Sequence, residues 1–157
     1  MSRQLLVPVD GSPLSNRALE YAFDAHEDPS VVALHVIDPA DPGYSSMIDV
    51  DVRNEPPHGS DEWYERATKE EERLFSEARD LAAERDAELS TESVVGDPSR
   101  KIVDYAEDHD VDAIVMGSHG RSGPTRLLLG STAELVVSRA PVTVTVVRDE
   151  VDRGSPD

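Results

Sequence analysis

AIVMGSHGRSGPTRLLLGSTAE, residues Ala113–Glu134, puts a short apolar run, a glycine-rich segment and a Ser-x-x-Glu spacing in direct succession. Ala113–Met116 suits a buried strand. Gly117, Gly120, Gly123 and Gly130 interrupt any regular structure after it, and Ser131 with Glu134 three residues on matches a capping box opening a helix. The segment reads as strand, loop, helix. It also lacks acid: Ala113–Ala133 runs 21 residues without Asp or Glu, where 33 acids in 157 residues would place about four. A buried strand excludes charge by itself. The loop has no such reason, yet its only charges are Arg121 and Arg126. That bias suits an anionic ligand.

Working outward, the same alternation recurs. Gln4–Val9 is long enough for a buried strand, and Asp10-Gly11-Ser12-Pro13 turns it into a helix capped by Ser12 with Pro13 at the first helical position. Leu14, Ala18, Tyr21, Ala22 and Ala25 then recur at spacings of three and four. Val31–Ile37 is a second buried strand. Asp38–Ser60 holds four prolines and five acids without periodicity and reads as a mobile acidic loop. Asp61–Arg85 has a helical apolar stripe and a charged outer face. Leu89–Val95 alternates as an edge or half-buried strand would. Asp97 caps and Pro98 opens a further helix, and Pro141–Val147 is the fifth strand. Residues 1–148 are read as one domain and 149–157 as a disordered tail.

The order βαβ, loop, αβαβαβ implies an α/β fold, a mostly parallel sheet with helices on both faces. Ligands of such sheets bind outside the carboxyl ends of the strands, where the winding reverses. The Asp10 turn and the Gly117 loop both leave strands at that end. If the first and fourth strands are neighbours, the two turns share one crevice.

Composition narrows the rest. The formal net charge is −18, with two lysines beside thirteen arginines, and the acids are spread along the chain. A broad basic face for nucleic acid or anionic lipid is not available. The acid excess fits an ordinary acidic cytosolic protein or, with the lysine depletion beside it, a protein of a high-salt cytoplasm, where a hydrated acidic surface maintains solubility. No apolar stretch reaches membrane-span length and no leader pattern opens the chain, so the expectation is a soluble cytoplasmic protein. There are no cysteines, hence no disulfides or thiolate metal sites.

Two phosphate patterns fail. There is no G-x-x-x-x-G-K-[ST], and Gly117, Gly120 and Gly123 are spaced G-x-x-G-x-x-G rather than G-x-G-x-x-G. Glycines still let backbone N–H groups approach a phosphate, and the helix opening at Ser131 offers unpaired N–H groups and a positive dipole end. The alternative is that Ser131 only caps its helix and the glycines only make turns. Asp10 could cap the first helix, although Ser12 is the better placed residue. His35 alternates with core residues on its strand and reads as an interior histidine with satisfied partners. No His and acid cluster has metal-ligand spacing, so no metal held by the protein itself is expected.

Gly117-x2-Gly120-x9-Gly130-Ser131 resembles the G-2x-G-9x-G-[ST] motif of the ATP-binding branch of the universal stress protein family. The resemblance extends to Val7-Pro8-Val9-Asp10 with Ser12, Leu34-His35-Val36-Ile37-Asp38, Gly96-x-Pro98 and Met116–Gly120. It implies a five-stranded sheet in the order 3-2-1-4-5, ATP in the crevice between strands 1 and 4, and a homodimer. It places Asp10 on the ribose hydroxyls and Pro8, Val9, Val36 and Met116 along adenine and ribose. Gly117, Gly120, Gly130, Ser131 and Thr132 would contact phosphates, with Arg121 a further phosphate partner or a solvated side chain. Ala133 stands where some ATP-binding relatives carry a hydroxyl, so one contact of the pattern is absent. In that strand order Pro141–Val147 lies at an edge, free of charge, and pairing with its own copy would close a dimer.

The chain has no P-loop lysine, no identifiable water-positioning residue and no acid cluster dedicated to Mg²⁺. The resulting expectation is a nucleotide-dependent regulatory or stress-response dimer binding ATP. The alternatives are a slow ATPase or nucleotidyl-transferring enzyme, and a dimeric interaction module without nucleotide. The sequence names no protein partner. One physical consequence holds under every reading: charge repulsion of this size weakens as salt shortens the Debye length from about 10 Å at 0.1 M to about 3 Å at 1 M. The melting temperature is therefore expected to rise steeply over that range, and a flat profile in thermal melts would remove the high-salt reading.

Overall fold

The computed structural model describes residues 3–39, 61–118 and 129–148. The expected loop 38–60 beyond Pro39, the loop residues Gly120 and Arg121, and the tail 149–157 lie outside them. The elements run β1 (Arg3–Pro8), α1 (Pro13–Asp24), β2 (Pro29–Ile37), α2 (Asp61–Glu84), β3 (Glu88–Val95), α3 (Pro98–Asp108), β4 (Ala113–Gly117), α4 (Ser131–Arg139) and β5 (Thr143–Val147). The sheet has the order β3-β2-β1-β4-β5, and every adjacent pair is parallel. Among the described residues no helix is long and apolar enough to cross a membrane.

Side-chain alternation along the strands sorts the core into two layers. Leu5, Val7, Val31, Ala33 and Val115 meet Ala18, Ala22 and Phe23 of α1 and Phe75 and Ala78 of α2 on one face. Leu6, Leu34, Val36, Ile114 and Met116 meet Ile102 and Ala106 of α3 and Ala133 and Val136 of α4 on the other. The inner strands read as near-continuous apolar runs because both of their faces are covered. β3, at an edge, alternates in exposure as its sequence implies.

Two helix starts follow the sequence reading. Ser12 accepts from Ser15 N at 3.2 Å with Pro13 in the first turn, and Asp97 accepts from Arg100 N at 3.0 Å with Pro98 beside it. The third does not. Gly130, not Ser131, is the N-cap of α4, because Glu134 N–H bonds to the Gly130 carbonyl at 2.9 Å. Ser131 and Glu134 thus both lie inside the first turn, the capping box is not formed, and no side chain caps this helix. β5 likewise begins at Thr143 rather than Pro141, its first ladder partner being Ala113. Asp28, Asp86 and Asp110, in the turns that lead into β2, β3 and β4, all have φ near +50°, a region in which aspartate is better tolerated than most side chains.

The buried histidine expected on β2 is only half satisfied. His35, fully buried, places Nδ1 2.7 Å from Glu71 Oε2 of α2, and Ser93 Oγ of β3 donates to the same oxygen at 2.6 Å. A carboxylate only accepts, so Nδ1 carries the proton. His35 Nε2 is buried without a partner among the described residues. Breaking one side of a buried pair strands the other. His35→Leu is expected to lower stability by about 3 kcal/mol and Glu71→Leu by about 1–3 kcal/mol. The double variant should lose less than the sum in urea titrations; strict additivity would mean the two side chains do not depend on each other.

Candidate functional site

β1 is bonded on one side to β2 (Pro8↔Leu34) and on the other to β4 (Leu5↔Ala113, Leu6↔Ile114). The winding of the sheet therefore reverses between β1 and β4, and the chain leaves both strands at the same end. After β1 comes the Asp10 turn. Val9 is buried with its N–H on the Leu34 carbonyl at 2.9 Å, and Asp10 is 7% exposed with Oδ1 accepting from Ser12 N at 2.9 Å. Gly11 has φ of +83°, which an L side chain resists. Pro8 ends the strand, buried beside it.

β4 ends on Gly117, whose lack of a side chain has a packing cause. A Cβ there would lie 2.8 Å from Leu14 Cβ and 3.3 Å from the Leu14 carbonyl carbon. That contact sets the start of α1 against the end of β4, bringing the turn that precedes α1 beside Gly117. Ser118, buried, donates its N–H to the Val147 carbonyl at 2.8 Å, and its own carbonyl accepts from Gly130 N at 2.7 Å. The ends of the loop are thus clamped together, and Gly117, Gly130, Ser131 and Thr132 form one group at the first turn of α4. Ser131 is exposed and Thr132 half-buried. The N–H groups of that turn have no side-chain cap and a positive dipole end behind them.

Val36 and Met116 are placed deeper than a lining residue would be. They are 0% and 5% exposed and pack in the core layer with Ala133 and Val136. Two residues bearing on the site escaped the sequence reading. Ser118 ties the loop to β5, which no motif signals. Ser15 buttresses the Asp10 turn, and its signal was the repeated serine in Ser12-Pro-Leu-Ser15. At the start of α3 the Asp97 carboxyl is held below its ordinary range, first by the hydrogen bond from Ser99 and then by the Arg100 N–H. Among the described residues no group of three or more His, Cys, Asp or Glu is placed to hold a metal ion.

This sheet order with its paired turns defines a doubly wound α/β protein with a crevice at the β1/β4 reversal. The model of the universal stress protein family matches residues 1–148, and the chain belongs to that family. It is 33% identical over 149 residues to universal stress protein MJ0531 of Methanocaldococcus jannaschii, covering 93% of this chain and 82% of that protein. The solved structure of MJ0577, from the same organism, superposes with a TM-score of 0.78 at 28% identity and covers 96% of this chain and 98% of that one. A universal stress protein from Archaeoglobus fulgidus, solved in complex with dAMP, shares the fold with a TM-score of 0.65 at 21% identity, covering 94% and 98% of the two chains.

The Gly117 contact has a direct consequence. Gly117→Ala must push α1 from β4, an overpacking expected to lower stability by about 1–3 kcal/mol in urea unfolding. Unchanged stability would show that α1 is not held against this strand.

Proposed function

We propose that the chain binds an adenine nucleotide, ATP before others, across the carboxyl ends of β1 and β4, and acts in the cytoplasm as a nucleotide-dependent stress-response dimer. The observation that carries this reading is the 2.7 Å bond from Gly130 N to Ser118 O, which brings Gly130 and the end of β4 together at an uncapped helix start. The dAMP held by the Archaeoglobus relative supports the same ligand class. In this reading Asp10 takes the ribose hydroxyls, as a carboxylate suits a diol. Pro8, Val9, Val36 and Met116 back the base and ribose. Gly117, Gly120, Arg121, Gly130, Ser131 and Thr132 face phosphates, with Mg²⁺ or Mn²⁺ carried by the nucleotide. The chain's acidic surface fits a high-salt cytoplasm.

Isothermal titration with ATP and GTP tests the base, and equal affinity would remove the adenine assignment. Gly130→Val tests the phosphate side. Gly130 has φ −67° and ψ 165°, a conformation open to any residue, so α4 is expected to survive while a branched side chain blocks the phosphate. Binding should fall below detection. A variant that binds like the parent would move the phosphates elsewhere.

The dimer is assigned to β5. The two sheet edges differ: β3 carries Glu88 and Glu92, whereas Thr143–Val147 carries no charge. An uncharged edge strand invites pairing, and pairing with its own copy closes a two-fold assembly. Leu135 and Val137 of α4 leave 36% and 45% of their surface exposed, which adds apolar area to the chain next to β5. Val144 packs into the core, so the informative substitutions are Thr143→Lys with Thr145→Lys. That variant should run as a monomer by light scattering in high salt. A parent protein that is already monomeric there would sink the assignment.

A further inference from the structure

Ser15, on the first turn of α1 and 5% exposed, completes a closed ring of hydrogen bonds around the Asp10 turn. Its hydroxyl donates to the Ser12 carbonyl at 3.1 Å, and its N–H donates to Ser12 Oγ at 3.2 Å. Ser12 N–H in turn donates to Asp10 Oδ1 at 2.9 Å. The ring closes where Asp10 N–H donates to Ser15 Oγ at 3.4 Å, the longest of the four. A serine in a helix often bonds back to the carbonyl three or four residues earlier, and that part is ordinary. The contact to Asp10 N–H is not local to the helix. It gives an acceptor to a buried donor at the point where the chain leaves β1, just before the positive-φ Gly11.

We propose that Ser15 is the positioning residue for the Asp10 carboxylate. The inference rests on the ribose role given to Asp10 above. A carboxylate serves a diol only if its direction is fixed before the ligand arrives, since ordering it afterwards reduces affinity. Asp10 has two rotatable side-chain bonds and follows a strand end, so two anchors are needed. Ser12 N–H fixes one carboxylate oxygen; Ser15 Oγ fixes the backbone from which the side chain springs. Oδ2 receives no protein donor among the described residues and is left for a ligand hydroxyl. With Ser15 replaced by Ala, the Asp10 N–H loses its acceptor, the turn shifts about Gly11, and the carboxylate is no longer aimed.

The test compares ATP with 2′,3′-dideoxy-ATP, which has no diol, by isothermal titration of Asp10→Ala, Ser15→Ala and Ser15→Thr, with melting temperatures recorded alongside. Asp10→Ala should weaken ATP by about tenfold or more and the dideoxy analogue by less than about twofold. Ser15→Ala should show the same selectivity at about fivefold, and Ser15→Thr, which keeps the hydroxyl, should restore ATP binding. A helix-stabilising role alone would lower melting or weaken both nucleotides equally. Equal losses, or none, in Ser15→Ala while Asp10→Ala still discriminates would overturn the role of Ser15 and leave the ribose role standing. If Asp10→Ala fails to discriminate, the ribose role itself falls and the inference with it. Should Ser15→Ala not fold, Ser15→Cys, similar in shape and a poor acceptor, takes its place: selective loss of ATP supports the positioning role, and equal loss of both nucleotides overturns it.

Discussion

β1 is hydrogen-bonded to β2 on one side and to β4 on the other, and the rest of the molecule is arranged by that double pairing. A parallel strand can be reached only by a crossover, and the hand of the crossover sends helices to one face or the other. Building outward from β1 in both directions puts α1 and α2 on one face and α3 and α4 on the opposite one. It also leaves a gap at the carboxyl end where the two directions part. Leu14 against Gly117 narrows that gap from the side. The crevice is thus a by-product of strand order, and the residues at its rim only refine it.

Most of this order was legible because buried parallel strands are short apolar runs and their helices are amphipathic. Ser12-Pro13 and Asp97-Pro98 marked two helix starts correctly because an oxygen-bearing side chain before proline has few other uses. Ser131 misled for a related reason. A serine three residues before a glutamate satisfies the spacing of a capping box, but the Gly130 carbonyl had already taken the Glu134 N–H. Spacing records which side chains could bond, whereas the start of a helix depends on where the backbone can first turn. The sequence placed Pro8, Val9 and Asp10 at the end of the first strand and Gly117, Gly130, Ser131 and Thr132 around the β4–α4 connection, and the structure has them there. Gly117 carries a packing reason that no motif states. Ser118 was missed because its role lies wholly in its backbone.

The interior also holds more ionisable chemistry than the apolar runs suggest. His35, Glu71 and Ser93 join β2, α2 and β3 through a single carboxylate oxygen. The acid excess reaches even into conformationally demanding places. Asp28, Asp86 and Asp110 occupy left-handed positions at the helix-to-strand turns, where glycine would bear less strain. Solvation of the acidic surface extends to the turns at the amino ends of the strands, opposite the crevice.

The bond between Ser118 O and Gly130 N separates the two halves of the β4–α4 connection into a fixed base and an excursion. Closing a chain segment costs free energy that grows only with the logarithm of its length, so doubling an excursion costs about 0.6 kcal/mol. With the base tied to β5 through Ser118 N–H and Val147, insertions or deletions between the tied residues do not disturb the strand register. The two ends of the connection are thus held to the frame by their own backbone bonds, whatever length of chain runs between them.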